Sequence, residues 1–366
     1  YILFGIFLLF FLIQMIYYLA IYSRFVFYAR QHSSQSEEPV SVIICARNEA
    51  ENLEKYLPIV LSQNYKEYEV IVVDDGSSDE TEFVLKRLQL QFPHLRYTKI
   101  HEDKKFSHGK KLAVTIGIKA AKYDILLFTD ADCKPASNLW LQKMAGNFTA
   151  GKDIVLGYGG YYPRRGLLNK YIRYDTLIIA MQYLSYAICG FPYMGVGRNI
   201  AYRKSFFYKT AGFSNHLHLM SGDDDLFVNE NATRKNTAVE FSQESHTRSD
   251  PQASVKKWFQ QKRRHLTTAP LYKFKHKILL ALEPFSRFIF YLLFVFLLFF
   301  PDIRLYVLAV FAFRLLIQFL IIKNAMIRLK ENNLLLYSLI FDIFSLFINC
   351  WLFVSNRIRH RHHTWK

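Results

Sequence analysis

The chain has 366 residues, of which 47 are Lys or Arg and 30 are Asp or Glu, and 51% are hydrophobic, with 33 Phe and 24 Tyr. So apolar and aromatic a composition excludes an intrinsically disordered chain and allows one large domain or two ordinary ones. The formal charge of +17 suggests nucleic acid at first, but the basic residues gather beside apolar segments and in KKWFQQKRRHLTTAPLYKFKHK (256–277), which suits anionic lipid head groups or a phosphate-bearing substrate and leaves no nucleic-acid partner in the expectation.

Residues 1–22 carry no charge and as a helix reach about 33 Å, enough to cross a bilayer core of about 30 Å. The run is long, lacks a basic start and has no small-residue cleavage site, so a retained anchor over 1–23 is expected rather than a cleaved signal peptide. Arg24 and Arg30 follow it, which favours the cytosol for what comes next.

VSVIICARNEAENLEKYLPIVLSQ then reads as a strand, a loop at ARNEA and an amphipathic helix. YEVIVVDDGSSDETEFVLKRL repeats the unit, its apolar strand ending in Asp74 and Asp75 before a Gly-Ser turn and a capped helix. KLAVTIGIKAA is a third helix, and DILLFTDAD a third buried strand that ends on Asp130 and Asp132. Apolar strands alternating with helices predict an α/β domain with a mostly parallel sheet covered on both faces and ligands at the carboxyl ends of its strands. Two carboxylates one residue apart at such a strand end repel each other and lose hydration unless a cation or hydrogen-bond donors compensate. Mg²⁺ or Mn²⁺ held by Asp130 and Asp132 is one answer; capping of the following helix is the other.

Beyond Ile278 the text is apolar again: 288–300, 305–322 and 334–354 are membrane candidates, of which two or three cross. If all three did, the basic tail RIRHRHHTWK (357–366) would lie outside, against the positive-inside rule. The tail is expected in the cytosol, its histidines acting as a basic, lipid-facing cluster rather than as metal ligands. Arg314 and Asp342 are too costly to face lipid and should face protein. Cys45, Cys133, Cys189 and Cys350 have no paired spacing, imply no zinc site and fit a reducing compartment.

Taken in order, SVIICARNEAENL, VIVVDDGSSDET, GKKLAVTIGIKAA, DADCKP, GDDDLF and QKRRH resemble the motifs of the membrane-bound family 2 glycosyltransferases, the group of cellulose, hyaluronan and poly-N-acetylglucosamine synthases and ceramide glucosyltransferases. The resemblance covers roughly 38–270. It implies a GT-A catalytic domain (38–254), a basic interfacial helix (255–277), membrane segments (278–356) and a cytosolic tail (357–366), with the catalytic domain on the cytosolic face of the inner membrane.

The resemblance also implies roles. Asp75 would contact the base of a nucleotide-sugar donor, with Ala46, Arg47 and Glu49 lining the nucleoside pocket; Asp74 either contacts the donor or forms the turn. Lys110 falls where a lysine approaches the diphosphate. Asp130 points to ribose and metal, and Asp132 to the metal. In SGDDDLF, Gly222 stands where Glu is usual, which places the general base on Asp223 with Asp224 and Asp225 as alternatives. In the Q-x-x-R-W-like motif, Gln261 and Arg264 reach the acceptor and the diphosphate, with Trp258 upstream and His265 where Trp is usual; the bland reading of that stretch is a purely interfacial helix. Arg198 and Asn199 would line the sugar pocket or belong to an ordinary loop. The implied reaction is an inverting, single-displacement transfer from a nucleoside-diphosphate sugar, uridine diphosphate sugars being the usual choice. A membrane lipid is the expected acceptor. An exported polysaccharide, with partners or dimers completing a pore, is the runner-up, and a non-catalytic protein with a decayed transferase domain is the reading from another class.

Overall fold

The computed structural model describes residues 2–29, 37–100, 109–217, 219 and 221–358. The basic tail therefore lies outside the described residues except for the backbone of 357 and 358. The strands are β1 (Val40–Ala46), β2 (Tyr68–Asp74), β3 (Leu95–Lys99), β4 (Ile125–Asp130), β5 (Cys133–Pro135), β6 (Ile154–Leu156), β7 (Gly159–Tyr161), β8 (Ile200–Arg203), β9 (Thr237–Val239) and β10 (Thr247–Ser249).

Seven of them form one sheet in the order β3-β2-β1-β4-β8-β6-β9. β1 to β4 run parallel, β8 is antiparallel to both β4 and β6, and β9 is parallel to β6. The strand alternation sorts side chains to the two faces. Ile43, Ile71, Val73 and Phe128 pack with Ala113, Val114 and Ile118 of helix Lys110–Ala120 on one face. Val42, Ile44, Val70, Val72 and Leu127 pack with Leu53, Leu57, Val84, Leu85, Trp140 and Met144 on the other. Burial on both faces is why these strands read as near-continuous apolar runs. A smaller sheet, β5-β10-β7, flanks the carboxyl end of β4.

Register positions the site. Ala46 pairs with Asp74 across β1 and β2, and Cys45 pairs with Asp130 across β1 and β4. Both acidic strand ends therefore open on the same edge, one strand apart.

Among the described residues four helices are long and apolar enough to cross a membrane: Ile2–Val26, Phe274–Leu297, Pro301–Arg328 and Leu335–Ser355, the last continuing as helix to Ile358. The basic segment expected over 255–277 is divided: one helix, Val255–Leu266, and then the first turn of Phe274–Leu297. Arg314 and Asp342 face protein, as their cost in lipid requires. Asp342 accepts from Arg287 Nη1 at 2.5 Å, Tyr291 OH at 2.6 Å and Arg314 Nη2 at 3.5 Å, and Arg314 also donates to Gln14 Oε1 at 3.0 Å. The turn after Arg328 docks on the catalytic domain through buried Glu331, which accepts from Arg173 Nε at 2.8 Å and Arg248 Nη1 at 2.7 Å.

Candidate active site

The first wall of the cleft is made by two laced loops. Asn48 sits at φ +55° and turns the chain after β1. Its amide donates to Ser77 Oγ at 2.9 Å, its Oδ1 accepts from Ser78 N at 2.9 Å, and Ala50 N donates to Asp79 Oδ2 at 3.1 Å. Arg47 lies 4.0 Å from Asp75, whose carboxylate is buried. Asp74 does what a turn residue does: its Oδ1 accepts from Ser77 N at 2.9 Å. Its Oδ2, also buried, has no hydrogen-bond partner among the described residues. Glu49 accepts from Asn52 Nδ2 at 2.5 Å on the outer part of this loop, and Ala46 is fully buried at its root.

The floor is where separate motifs meet. Lys110, the first residue of its helix, places Nζ 2.9 Å from Asp130 Oδ1 and 3.2 Å from Asp223 Oδ2. Burial pulls the Lys110 ammonium down, but Asp130, Asp223 and Asp224 outweigh it and hold it well above its ordinary value. Burial likewise pushes the Asp130 carboxyl up, and Lys110, Arg198 and Arg264 overcome that, so it titrates below its usual range. Asp130 and Asp132 form with Cys133 a group whose ligand atoms all lie within 4.8 Å of one another. Burial, then the two carboxylates, push the Cys133 thiol up, so at neutral pH it stays a thiol and offers no anionic ligand.

The three successive aspartates of SGDDDLF differ in their contacts. Gly222 has φ +97°, a conformation that suits glycine. A Cβ there would meet Leu226 Cδ1 at 2.5 Å. The residue that departs from the related motif is therefore the one this backbone requires. Asp224 caps the helix Asp225–Asn231: its Oδ1 accepts from Asp225 N at 2.8 Å and its Oδ2 from Gly197 N at 2.6 Å. Gly197 permits that approach, since a Cβ there would lie 3.0 Å from Lys110 Nζ and 3.2 Å from Asp224 Oδ2. Burial, then Asp223 and Asp225, push the Asp224 carboxyl up to about 7. Asp225 is buried and accepts from Tyr272 OH at 2.7 Å and from the Thr268 hydroxyl. Asp223 is left facing the cleft, with Lys110 as its ion-pair partner among the described residues.

Arg198 completes the floor. Its guanidinium stacks over the Tyr161 ring at 4.4 Å, and its Nη1 is buried with no hydrogen-bond partner among the described residues. Asp130 and Asp132 act on its charge. Asn199, next to it, is fully buried and structural: it accepts from Trp140 Nε1 at 3.0 Å and donates to Tyr158 O and Ser245 O. From helix Val255–Leu266, Gln261 reaches Tyr161 OH at 3.4 Å and Arg264 approaches closely enough for its charge to act on Asp130. His265 is exposed one residue on. Trp258 is not brought to the cleft; it is buried, edge-on to Tyr171 at 5.4 Å. Sequence reasoning missed Tyr161, which carries no local signal because its partners come from distant parts of the chain.

A family model described as Glycosyl transferase family group 2 matches residues 126–354, well over half of the chain. The chain belongs to that family. A second model, Glycosyl transferase family 2, matches residues 41–210 of the same glycosyltransferase. Glycosyltransferase AglE of Haloferax volcanii is 37% identical over 141 residues, 37% of this chain and 44% of that protein. Poly-beta-1,6-N-acetyl-D-glucosamine synthase of Staphylococcus epidermidis is 33% identical over 102 residues, 27% of this chain and 23% of that synthase. The glycosyltransferase thus spans less than half the length of these curated relatives. Its fold is GT-A: the mannosyltransferase PcManGT of Pyrobaculum calidifontis, solved in complex with GDP-Man and Mn²⁺, superposes with a TM-score of 0.59 at 17% identity, over 89% of this chain and 98% of that one. The family is one of glycosyltransferases, and the chain's long apolar helices suit a membrane.

Proposed function

We propose that this glycosyltransferase moves a hexose, with inversion, from a nucleoside-diphosphate sugar to the head group of a membrane lipid at the cytosolic face. The observation that carries the reading is the convergence of Asp130, Asp132, Asp223, Lys110 and the unpartnered Arg198 Nη1 in one cleft. A buried guanidinium donor without an acceptor calls for an anion, and a diphosphate supplies one.

Mg²⁺ or Mn²⁺ fits Asp130 and Asp132, whose hard oxygens suit such ions while the neighbouring Cys133 thiol stays protonated. When bound, the ion would offset charge on the departing diphosphate. The chain's own residues do the rest. Lys110 has three N–H donors, and Asp130 and Asp223 occupy two directions, leaving one for a phosphate oxygen. Arg198 and Arg264 flank the same anion. Asp75 accepts from the base. Asp223 takes the proton of the acceptor hydroxyl as that oxygen attacks the anomeric carbon, the nucleoside diphosphate leaving on the opposite side; one displacement inverts the centre. Alignment of the two substrates supplies much of the rate, with effective molarities that reach about 10⁵ M.

The charge distribution supports that orientation. The helix ends beside the catalytic domain carry Arg24, Lys273, Lys275, Lys277 and Arg328, whereas the turn at 298–300 is flanked by Arg304 alone among basic residues.

Purified enzyme incubated with labelled nucleotide sugars, extracted membrane lipids and Mn²⁺ tests the proposal: organic-soluble label supports it, and absence of label transfer from every donor overturns it. Asp223→Asn should bind donor and transfer nothing. The similarity to poly-beta-1,6-N-acetyl-D-glucosamine synthase favours polymer extension as the second reading, and retained high-mass label would select it.

A further inference from the structure

The last of the four membrane-length helices does not pack as the other three do. Phe7 from the first, Phe290, Leu293 and Leu297 from the second and Val307 from the third share a buried cluster at the end of the bundle remote from the catalytic domain. Among the described residues, helix Leu335–Ile358 contributes nothing to that cluster.

Asp342 ties it to Arg287, Tyr291 and Arg314 of two neighbouring helices, but along most of its length it keeps contact with the catalytic domain. Lys170 Nζ donates to Tyr337 OH at 2.5 Å. Phe341 stands edge-on to Tyr171 at 5.1 Å, and Ile348 packs in the cluster of Trp258. Trp351 packs on Phe259 at 4.9 Å and carries the Arg263 guanidinium over its ring at 5.0 Å. From Tyr337 to Trp351 is about 21 Å of helix at 1.5 Å per residue. Every one of those partners belongs to Leu167–Ile188 or Val255–Leu266, and the second of these also carries Gln261 and Arg264 to the cleft. The adjoining stripe, Leu336, Ile340, Ile343, Phe347 and Val354, is exposed and wholly apolar. Soluble surfaces rarely present such a stripe, and here it continues the lipid-facing surface of the adjoining bundle.

We infer that helix Leu335–Ile358 lies in the near interface of the bilayer beneath the catalytic domain, its outer stripe resting on acyl chains, so that its carboxyl end stays on the catalytic side. Of the four candidate helices, three then cross. The basic tail obeys the positive-inside rule, which a fourth crossing would violate. The arrangement sets Phe259 and Trp351 on the lipid side of the helix that bears Gln261 and Arg264, so a lipid head group reaches the cleft laterally from the near leaflet. The inference rests on packing and charge and does not depend on the donor.

Cysteines introduced singly into the full-length chain at Lys209, Asp302 and Thr364, labelled in sealed vesicles with a membrane-impermeant maleimide and located by peptide mapping, give the test. Thr364→Cys should react from the same face as Lys209→Cys, and Asp302→Cys from the other. Reaction of Thr364→Cys from the Asp302 face overturns the inference. A short bismaleimide should also join Phe259→Cys to Trp351→Cys in native membranes, because a crossing helix would carry residue 351 more than about 20 Å into the bilayer. Failure to join them in a double variant that still unfolds cooperatively overturns it as well.

Discussion

Restoring the residue usual in the related motif at position 222 should damage this enzyme. Gly222→Ala is the cleanest form of the test. At φ +97° a side chain is strained, and a left-handed conformation costs a non-glycine residue about 1–2 kcal/mol. The new Cβ would also lie 2.5 Å from Leu226 Cδ1 and 2.9 Å from its Cγ, and Leu226 is only 2% exposed, so it has nowhere to go; overpacking of this kind costs about 1–3 kcal/mol. The sum is about 2–5 kcal/mol, read as a fall in the unfolding midpoint of detergent-solubilised protein by tryptophan fluorescence. A second variant separates the causes. Leu226→Ala removes the obstructing atoms, so in the double variant the packing part should vanish and the conformational part remain, giving a coupling of about 1–3 kcal/mol between neighbours in contact. Gly222→Glu should lose at least as much as Gly222→Ala. A Gly222→Ala protein within about 0.5 kcal/mol of its parent, the range of an ordinary surface change, would refute the reasoning.

Asp342→Ala leaves Arg287 and Arg314 facing each other in apolar surroundings; breaking such a buried pair costs about 3–5 kcal/mol, so the midpoint should drop far more than for Asp302→Ala at the exposed turn, and equal effects would contradict the pairing. Asp224, pushed up to about 7 from an ordinary 3.8, keeps its proton in the fold over a window where the unfolded chain has lost it. Its contribution to stability therefore falls as pH rises from about 4 to 7. Asp224→Asn, which still caps the helix, should flatten the unfolding midpoint against pH across that window; an unchanged slope would show that the fall belongs to other groups.

Much of the site was legible because it is local. Strand ends at Asp74 and Asp130 announce themselves through an apolar run, a carboxylate and a turn residue, and the parallel sheet that brings them together follows from the alternating units. Arg314 and Asp342 were legible from cost alone. What stayed hidden is non-local. Nothing in IAYR says that β8 enters the sheet antiparallel between β4 and β6, so nothing distinguished Arg198, which faces the cleft, from Asn199, which is consumed by Trp140 and two backbone carbonyls. The sequence places Trp258 only upstream of Gln261, because helical spacing gives the face only when the partner is known, and its partner is Tyr171, 87 residues earlier. The roles within Asp223, Asp224 and Asp225 depend on Gly197, Thr268 and Tyr272, none of which neighbours them in sequence. Gly222 read as a departure, and only its backbone angle shows why glycine is there.

The account depends most on Asp130 and Asp132 jointly holding a divalent ion for a nucleoside diphosphate. Electron paramagnetic resonance of Mn²⁺, titrated into the solubilised enzyme with uridine or guanosine diphosphate, measures that directly. The parent and Asp223→Asn should bind Mn²⁺ together with one of the two nucleotides. Asp132→Asn should bind at least about tenfold more weakly, since even outer partners of a bound metal commonly contribute that much. Undiminished Mn²⁺ binding in Asp132→Asn would contradict the account.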